Sequence, residues 1–259
     1  MNLRSGSLLL LLILAMTTSL PADDFLPGKF VSPEGKSLPY RLLFPLGYDE
    51  SKPKTYPLVL FLHGSGERGD DNQAQLKNVV AHFETRENRA RFRCFVLAPQ
   101  CPNGQKWVDT DWGAEFNPRP MNPSDAMTLA LGCLDAVAGH YHVDPTRLYV
   151  CGISMGGYGV WDCLTRYPER FAAGVAVCGG GDPATVTAAA AKVPVWAFHS
   201  ADDPNVHVTK SRRMIEAWKA QGGQPRYTEY NGLGHVSWEK AFGEPGLMPW
   251  LFAQHLGQP

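Results

Sequence analysis

Several short stretches of the chain are apolar at every position rather than at every second one. Residues 58–62 (LVLFL) run without a polar break and stop at His63-Gly64. The stretches FRCFVLAPQ, RLYVCG, FAAGVAVCGGG and VPVWAFHSADD repeat the pattern. A strand with one wet face alternates, so unbroken runs of this length predict strands buried on both faces. SLPYRLLFPLGYD predicts an earlier strand and RYTEYNG a last one. Between them the apolar spacing changes to that of helices. One is expected over 124–140, with Ser124 or Asp125 as its N-cap, and one over 154–167. A third is expected over 209–221, ended by Gly222-Gly223, and a final one in PGLMPWLFAQHL. Doubly buried strands alternating with helices predict an α/β protein with a mainly parallel central sheet and helices on both faces. No linker or internal repeat divides the chain, so a single domain is expected. Residues 100–123 are rich in Pro, Asn, Asp and Trp and lack any period. They predict a long irregular loop, a kind of segment that usually serves function.

The N-terminus departs from this rhythm. MNLRSGSLLLLLILAMTTSLPA carries one arginine, an apolar run over residues 8–16 and then small and polar residues. That is the layout of a secretory signal peptide. The run falls short of the roughly 20 apolar residues a membrane span needs. A signal over residues 1–22 is therefore expected, with cleavage after Ser19 or Ala22, and a catalytic domain over 23–259. The predicted localisation is secreted or periplasmic, with no stable membrane anchor once the signal is removed. Export permits disulfides, but the six cysteines, Cys94, Cys101, Cys133, Cys151, Cys163 and Cys178, fit no zinc spacing and allow 15 pairings. An extended CFVLAPQC would hold Cys94 and Cys101 roughly 20 Å apart, too far for a bridge. Buried free thiols remain the other reading. With 24 basic and 25 acidic residues the formal net charge is −1. No basic face for nucleic acid is indicated.

The chemistry concentrates at GISMG, residues 152–156, where a predicted strand meets a predicted helix. G-x-S-x-G in that context is a nucleophile elbow. Ser154 would sit on a strained turn, and the glycines two residues away would leave room where a Cβ would collide with neighbouring backbone. A serine hydroxyl needs a base to remove its proton. In this fold the chain order is serine, acid, histidine. His235, in the glycine-bearing loop after the last predicted strand, is the expected base. His255 falls in the final predicted helix, His207 on a solvated loop and His199 at a strand end, and these three read as packing or surface. The acid should follow the strand VPVWAFHS. Asp202 and Asp203 both do, and spacing does not separate them, while Asp182 lies one strand earlier. Backbone N–H groups must hold the oxyanion. Met155 would supply one and Ser65, in HGSGERGDDN, the other, with Gly66 as its neighbour. His63 reads as support for that loop, and Glu67, Arg68, Asp70 and Asp71 as a charged turn.

HGSGERGDDN, DPTRLYVCGISMGGYGVWD, YPERFAAGVAVCGGGDP, WAFHSADDPNV and GLGHVSW together resemble secreted α/β-hydrolase esterases. The nearest groups are the feruloyl and acetyl esterases, polyhydroxybutyrate depolymerase-like proteins and prolyl-oligopeptidase-type hydrolases. The resemblance runs from about residue 38 to residue 256. It implies the α/β-hydrolase fold, a Ser-His-Asp triad and no metal or organic cofactor. The family's H-G-x-x-D pattern falls on His199 to Asp203 and selects Asp203, with Ser200 standing where glycine is usual. Relatives carry a tryptophan near the acyl pocket, which implies substrate-binding roles for Trp107 and Trp112. Some relatives have an immunoglobulin-like domain first. The stretch between the expected leader and the first predicted strand is too short for one.

These observations predict a secreted serine carboxylic-ester hydrolase with an ester substrate. Acetyl or feruloyl esters of plant cell-wall polysaccharide are the first expectation. A prolyl-oligopeptidase-type peptidase and a polyester depolymerase are the alternatives. Oligomeric state is not legible.

Overall fold

A computed structural model of the chain describes residues 25–257, so the expected leader lies outside the described residues. Its eight strands are β1 (Leu26–Val31), β2 (Ser37–Leu43), β3 (Tyr56–Leu62), β4 (Phe95–Pro99), β5 (Val143–Ile153), β6 (Ala173–Val177), β7 (Val195–Ser200) and β8 (Arg226–Tyr230). They pair in the order β1-β2-β4-β3-β5-β6-β7-β8. The two pairings that involve β2 are antiparallel and the rest are parallel. The helices are α1 (Arg86–Arg91), α2 (Asp125–His140), α3 (Met155–Arg166), α4 (Ala188–Ala191), α5 (Thr209–Ala220), α6 (Trp238–Phe242) and α7 (Leu247–Phe252).

The unbroken apolar runs have the expected cause. Leu58, Leu60 and Leu62 of β3 face one core with α2, α3 and α5. Val59 and Phe61 face the other, with α6, α7 and the turn carrying Val79, Val80 and Phe83. Each side chain, fully buried, contributes roughly 2 kcal/mol of transfer free energy. Neither face of these central strands has a use for a polar residue. Parallel pairing also brings the carboxyl ends of β3, β5, β6, β7 and β8 to one edge, where open α/β sheets bind ligands.

Several elements differ from expectation. β1 carries Pro27 and Gly28, which hide its strand pattern. A Cβ on Gly28 would lie 2.2 Å from the Tyr40 ring, so the glycine is what lets Tyr40 pack across the edge. Helices α1, α4 and α6 are too short to show a period. The last helix ends at Phe252, which leaves His255 beyond it. Ser124, not Asp125, caps α2 by accepting the Met127 N–H at 3.1 Å. All six cysteines are buried free thiols.

The loop over residues 100–123 has no regular structure, yet cations tie it down at several points. Arg166 donates to the carbonyls of Pro120, Met121 and Asn122 while pairing with Asp162 at 2.8 Å. Lys210, largely buried, donates to the carbonyls of Trp112 and Ala114 and to Asn117 Oδ1. Arg119 takes the Asp182 carboxylate on its backbone N–H and donates to Thr165 Oγ1. Carbonyl dipoles and side-chain oxygens thus hold a segment with no apolar stripe of its own. The Asp162–Arg166 pair is buried at both ends, so removing one partner strands a charge. Asp162→Ala is expected to lower stability by about 3 kcal/mol in urea unfolding.

Candidate active site

β5 passes into α3 through a single strained residue. Ser154 sits at φ 52°, ψ −116°, outside the ordinary basins for a side-chain-bearing residue. Its N–H donates to Val177 O at 2.9 Å, which fixes the turn against β6. The glycines around it are sterically required. A Cβ on Gly156 would lie 1.8 Å from Leu62 O, and one on Gly152 would lie 2.4 Å from Gly156 O. Gly157 has the same constraint against Val177 O, at 2.7 Å. The elbow therefore exists because helix α3 starts against bare backbone of β3 and β6.

The loops after β7 and β8 bring the remaining groups to Ser154. His235 Nε2 lies 2.9 Å from Ser154 Oγ, and His235 Nδ1 lies 2.8 Å from Asp203 Oδ2. Asp203 is fully buried, whereas the imidazole keeps a partly open edge. The other carboxylate oxygen, Oδ1, accepts the N–H groups of Asn205 and Val206 at 2.8 and 2.9 Å. His199, with no exposed surface, places Nε2 3.2 Å from Asp203 Oδ2 and 2.8 Å from Val206 O. Burial by itself would raise the Asp203 carboxyl. The hydrogen bonds from His199, His235 and the two N–H groups outweigh it and hold the carboxyl far below the usual carboxylate range.

Asp202 and Asp203 separate cleanly. Asp203 turns inward to the imidazole. Asp202 turns outward, where its Oδ1 accepts the Ser200 hydroxyl and the N–H groups of Gly232 and Gly234. Ser200 Oγ accepts in turn the Leu233 N–H at 3.2 Å. A glycine at position 200 could not make this tie between the acid loop and the histidine loop. His199, Ser200 and Asp202 are positioning residues. The sequence offers Asp202 as the alternative acid, His199 as a packing residue and Ser200 as a departure from glycine, and it leaves their joint role open.

On the other side of Ser154, Gly64 approaches so closely that its Cβ position would lie 3.6 Å from Ser154 Cβ. Ser65 opens a short 3-10 turn over Ser65–Glu67 there, and its carbonyl accepts from Arg68 Nε at 2.9 Å. Met155 is the first residue of α3. Ser65 and Met155 thus flank the serine. Glu67 bonds to Asn78, and Asp71 accepts the N–H groups of Gln73 and Ala74, so this charged turn is built from local bonds rather than from pairs among its own charges. His63 lies beneath the turn, fully buried. Its Nδ1 is 2.6 Å from Gly64 O, and its Nε2 accepts the Cys101 N–H at 2.9 Å. One nitrogen donates and the other accepts, so only the neutral ring fits.

The two tryptophans part company. Trp107 has no exposed surface. Its N–H donates to His63 O at 3.0 Å and its ring meets the His63 ring edge-on at 5.2 Å, so it packs behind the site instead of lining a cleft. Trp112 is half-buried, 6.4 Å from the Tyr158 ring, with Lys106 Nζ 4.6 Å above it. His207 is exposed and bonds to Thr209, and Asp182 caps the turn over Pro183–Thr185.

A strained serine at the carboxyl edge of a mainly parallel sheet, bonded to a histidine that is bonded to a buried aspartate, is the arrangement of an α/β-hydrolase. Known proteins share this fold. The profile of the Prolyl oligopeptidase family matches residues 125–189. Carboxylesterase SOBER1 of Arabidopsis thaliana is 27% identical over 199 residues, covering 68% of this chain and 82% of that one. A thermostable esterase superposes with a TM-score of 0.83 at 37% identity over 90% of this chain, and the chain spans 64% of that protein's length. A ferulic acid esterase shares the fold, with a TM-score of 0.69 at 16% identity over 89% of this chain and 98% of its own. The chain is similar to esterases of the α/β-hydrolase fold and is a carboxylic ester hydrolase.

Two outcomes follow from this geometry. Gly156→Ala forces a Cβ into the Leu62 carbonyl and is expected to cost about 3 kcal/mol or more, read from the denaturation midpoint. Burial lowers the His63 pKa to about 4. The unfolded ring titrates near 6.5, so its stabilisation is intact above that pH and is lost as pH falls towards 4. Unfolding free energy measured across this interval should fall by up to about 3 kcal/mol on account of this one group. The drop should be smaller in His63→Gln.

Proposed function

We propose that this carboxylic ester hydrolase acts through an acyl-enzyme on Ser154. The observation that carries the reading is the hydrogen-bonded line from Ser154 Oγ through His235 to the buried Asp203. His235 Nε2 takes the hydroxyl proton as Oγ attacks the acyl carbon. It returns that proton to the leaving alcohol, and water then repeats the sequence to release the acid. Asp203 holds the proton on Nδ1 and stabilises the imidazolium. The N–H groups of Ser65 and Met155 receive the oxyanion. No step calls for a metal or an organic cofactor.

The substrates we favour are acetyl or feruloyl esters of plant cell-wall polysaccharide. The fold is shared with a ferulic acid esterase. The loop over residues 100–123 also leaves Trp112 half-open beside Tyr158 of α3, which suits an aromatic acyl group or a sugar face. We take residues 1–22 as a signal for export, which would bring the enzyme to such polymers, with no nucleic-acid or membrane partner. The match of residues 125–189 to the Prolyl oligopeptidase family favours one second reading, amide hydrolysis by the same triad.

The test is hydrolysis of p-nitrophenyl acetate, butyrate and octanoate, methyl ferulate, acetylated xylan and a proline-containing peptide anilide. Methyl ferulate or acetylated xylan should lead. Turnover of the anilide alone would establish the peptidase reading. A lead for the longest ester would point to a polyester-type surface. Ser154→Ala should lower kcat by about a million-fold, and Asp203→Asn by about ten-thousand-fold with little change in KM. Asp202→Asn, which only loosens the histidine loop, should cost roughly 10- to 100-fold. Equal activity in Ser154→Ala and the parent would refute the mechanism.

A further inference from the structure

Beside the Asp203–His235 pair lies a second set of possible ligand atoms. Cys178 directly follows β6 in a left-handed conformation, φ 42°, held by its N–H bond to Phe198 O at 2.8 Å. Its Sγ, a carboxylate oxygen of Asp203 and a ring nitrogen of His235 all lie within 4.8 Å of one another. The hydroxyl of Ser237, fully buried, lies against the thiol and has no oxygen or nitrogen partner. Acyl transfer uses neither the thiol nor this hydroxyl.

We propose that Cys178, Asp203 and His235 form an inhibitory site for a thiophilic divalent cation of the zinc or cadmium class. One thiolate, one imidazole and one carboxylate is a mixed soft and borderline set. It suits such ions and not calcium or magnesium, which need a shell of oxygens. Bonds of roughly 2.0–2.3 Å arranged tetrahedrally place ligand atoms roughly 3–4 Å apart. The present spread of 4.8 Å or less closes to that with small side-chain shifts. The Ser237 hydroxyl or a water would complete the four. The cation would take the place of the proton between His235 Nδ1 and Asp203. Cys178 loses its proton to solvent, and the imidazole proton moves from Nδ1 to Nε2. A ring protonated at Nε2 donates towards Ser154 and cannot accept its proton, so ester hydrolysis stops. This last consequence rests on the proposed role of His235, whereas the binding does not.

Cadmium chloride titrated into the purified full chain tests both parts. Binding should produce the ultraviolet thiolate-to-cadmium charge-transfer band, and hydrolysis of p-nitrophenyl acetate should fall in parallel and recover with EDTA. Cys178→Ser should keep its esterase activity and lose one thiolate's worth of the band. Losing even an outer partner of a metal ligand costs roughly 10- to 100-fold in affinity, so half-inhibition should need at least about tenfold more cadmium. Cys178→Ala serves as the second variant and should behave alike. Absence of the band, or equal band and inhibition in the parent and both variants, overturns the site. A band lost in the variants while the cadmium-loaded parent stays active keeps the site and overturns His235 as the base.

Discussion

The contact between the start of α3 and the end of β3 governs this molecule. Leu62 of β3 pairs with Gly152 of β5, and Gly156 returns across the same Leu62 carbonyl with no room for a single carbon. Three backbone segments meet there without side chains between them. That closeness sets Ser154 into its strained turn and brings Gly64 alongside it. A residue held outside the allowed basins costs on the order of 1–3 kcal/mol and persists only where its surroundings over-determine it. Here the sheet supplies that determination, since the Ser154 N–H is claimed by Val177 and both flanking strands are buried on both faces.

Around this fixed point the histidines divide their work by environment. His63, buried and spanned by one donor and one acceptor, is held neutral and serves as a strut for the turn at Ser65. His199, equally buried, braces the carboxylate of Asp203 from behind. His235 alone has an open edge and reaches the serine. The same side chain therefore provides two scaffolding contacts and one contact to the serine, and burial decides which is which. The acid follows the same logic. Asp203 is ionised because four donors outweigh its burial, and the neighbouring Asp202, in contact with water, spends its oxygens on holding the histidine loop.

The elbow and the most exposed apolar side chains occupy different parts of the chain. The elbow and its partners lie on the parallel core, whose strands leave little freedom. The most exposed large apolar side chains, Phe116 and Met121, come from the loop over residues 100–123. That loop is anchored by Arg166, Lys210 and Arg119 through carbonyls and side-chain oxygens, and by the buried Cys101, Trp107 and Val108. Residues such as Phe116 and Met121 can change on such a loop without disturbing the sheet.

The parallel sheet is written in residue order alone, because runs such as 58–62 have no polar position to give to solvent. So is the elbow, because glycines at 152, 156 and 157 around one serine are a steric requirement set by residue type, and so is the chain order that singles out His235. Tertiary structure decided what adjacency in sequence could not. Asp202 and Asp203 are chemically alike and differ only in which way the turn directs them. Trp107 and Trp112 differ only in whether the loop folds them under or leaves an edge open. β1 stayed hidden because its Gly28 is dictated by the Tyr40 ring of the next strand and not by any periodicity of its own. Cys178 came to lie beside Asp203 and His235 because three loops end at one edge of the sheet. Local sequence records the needs of a backbone and its immediate burial. Contacts between loops distant in the chain depend on where the sheet delivers them.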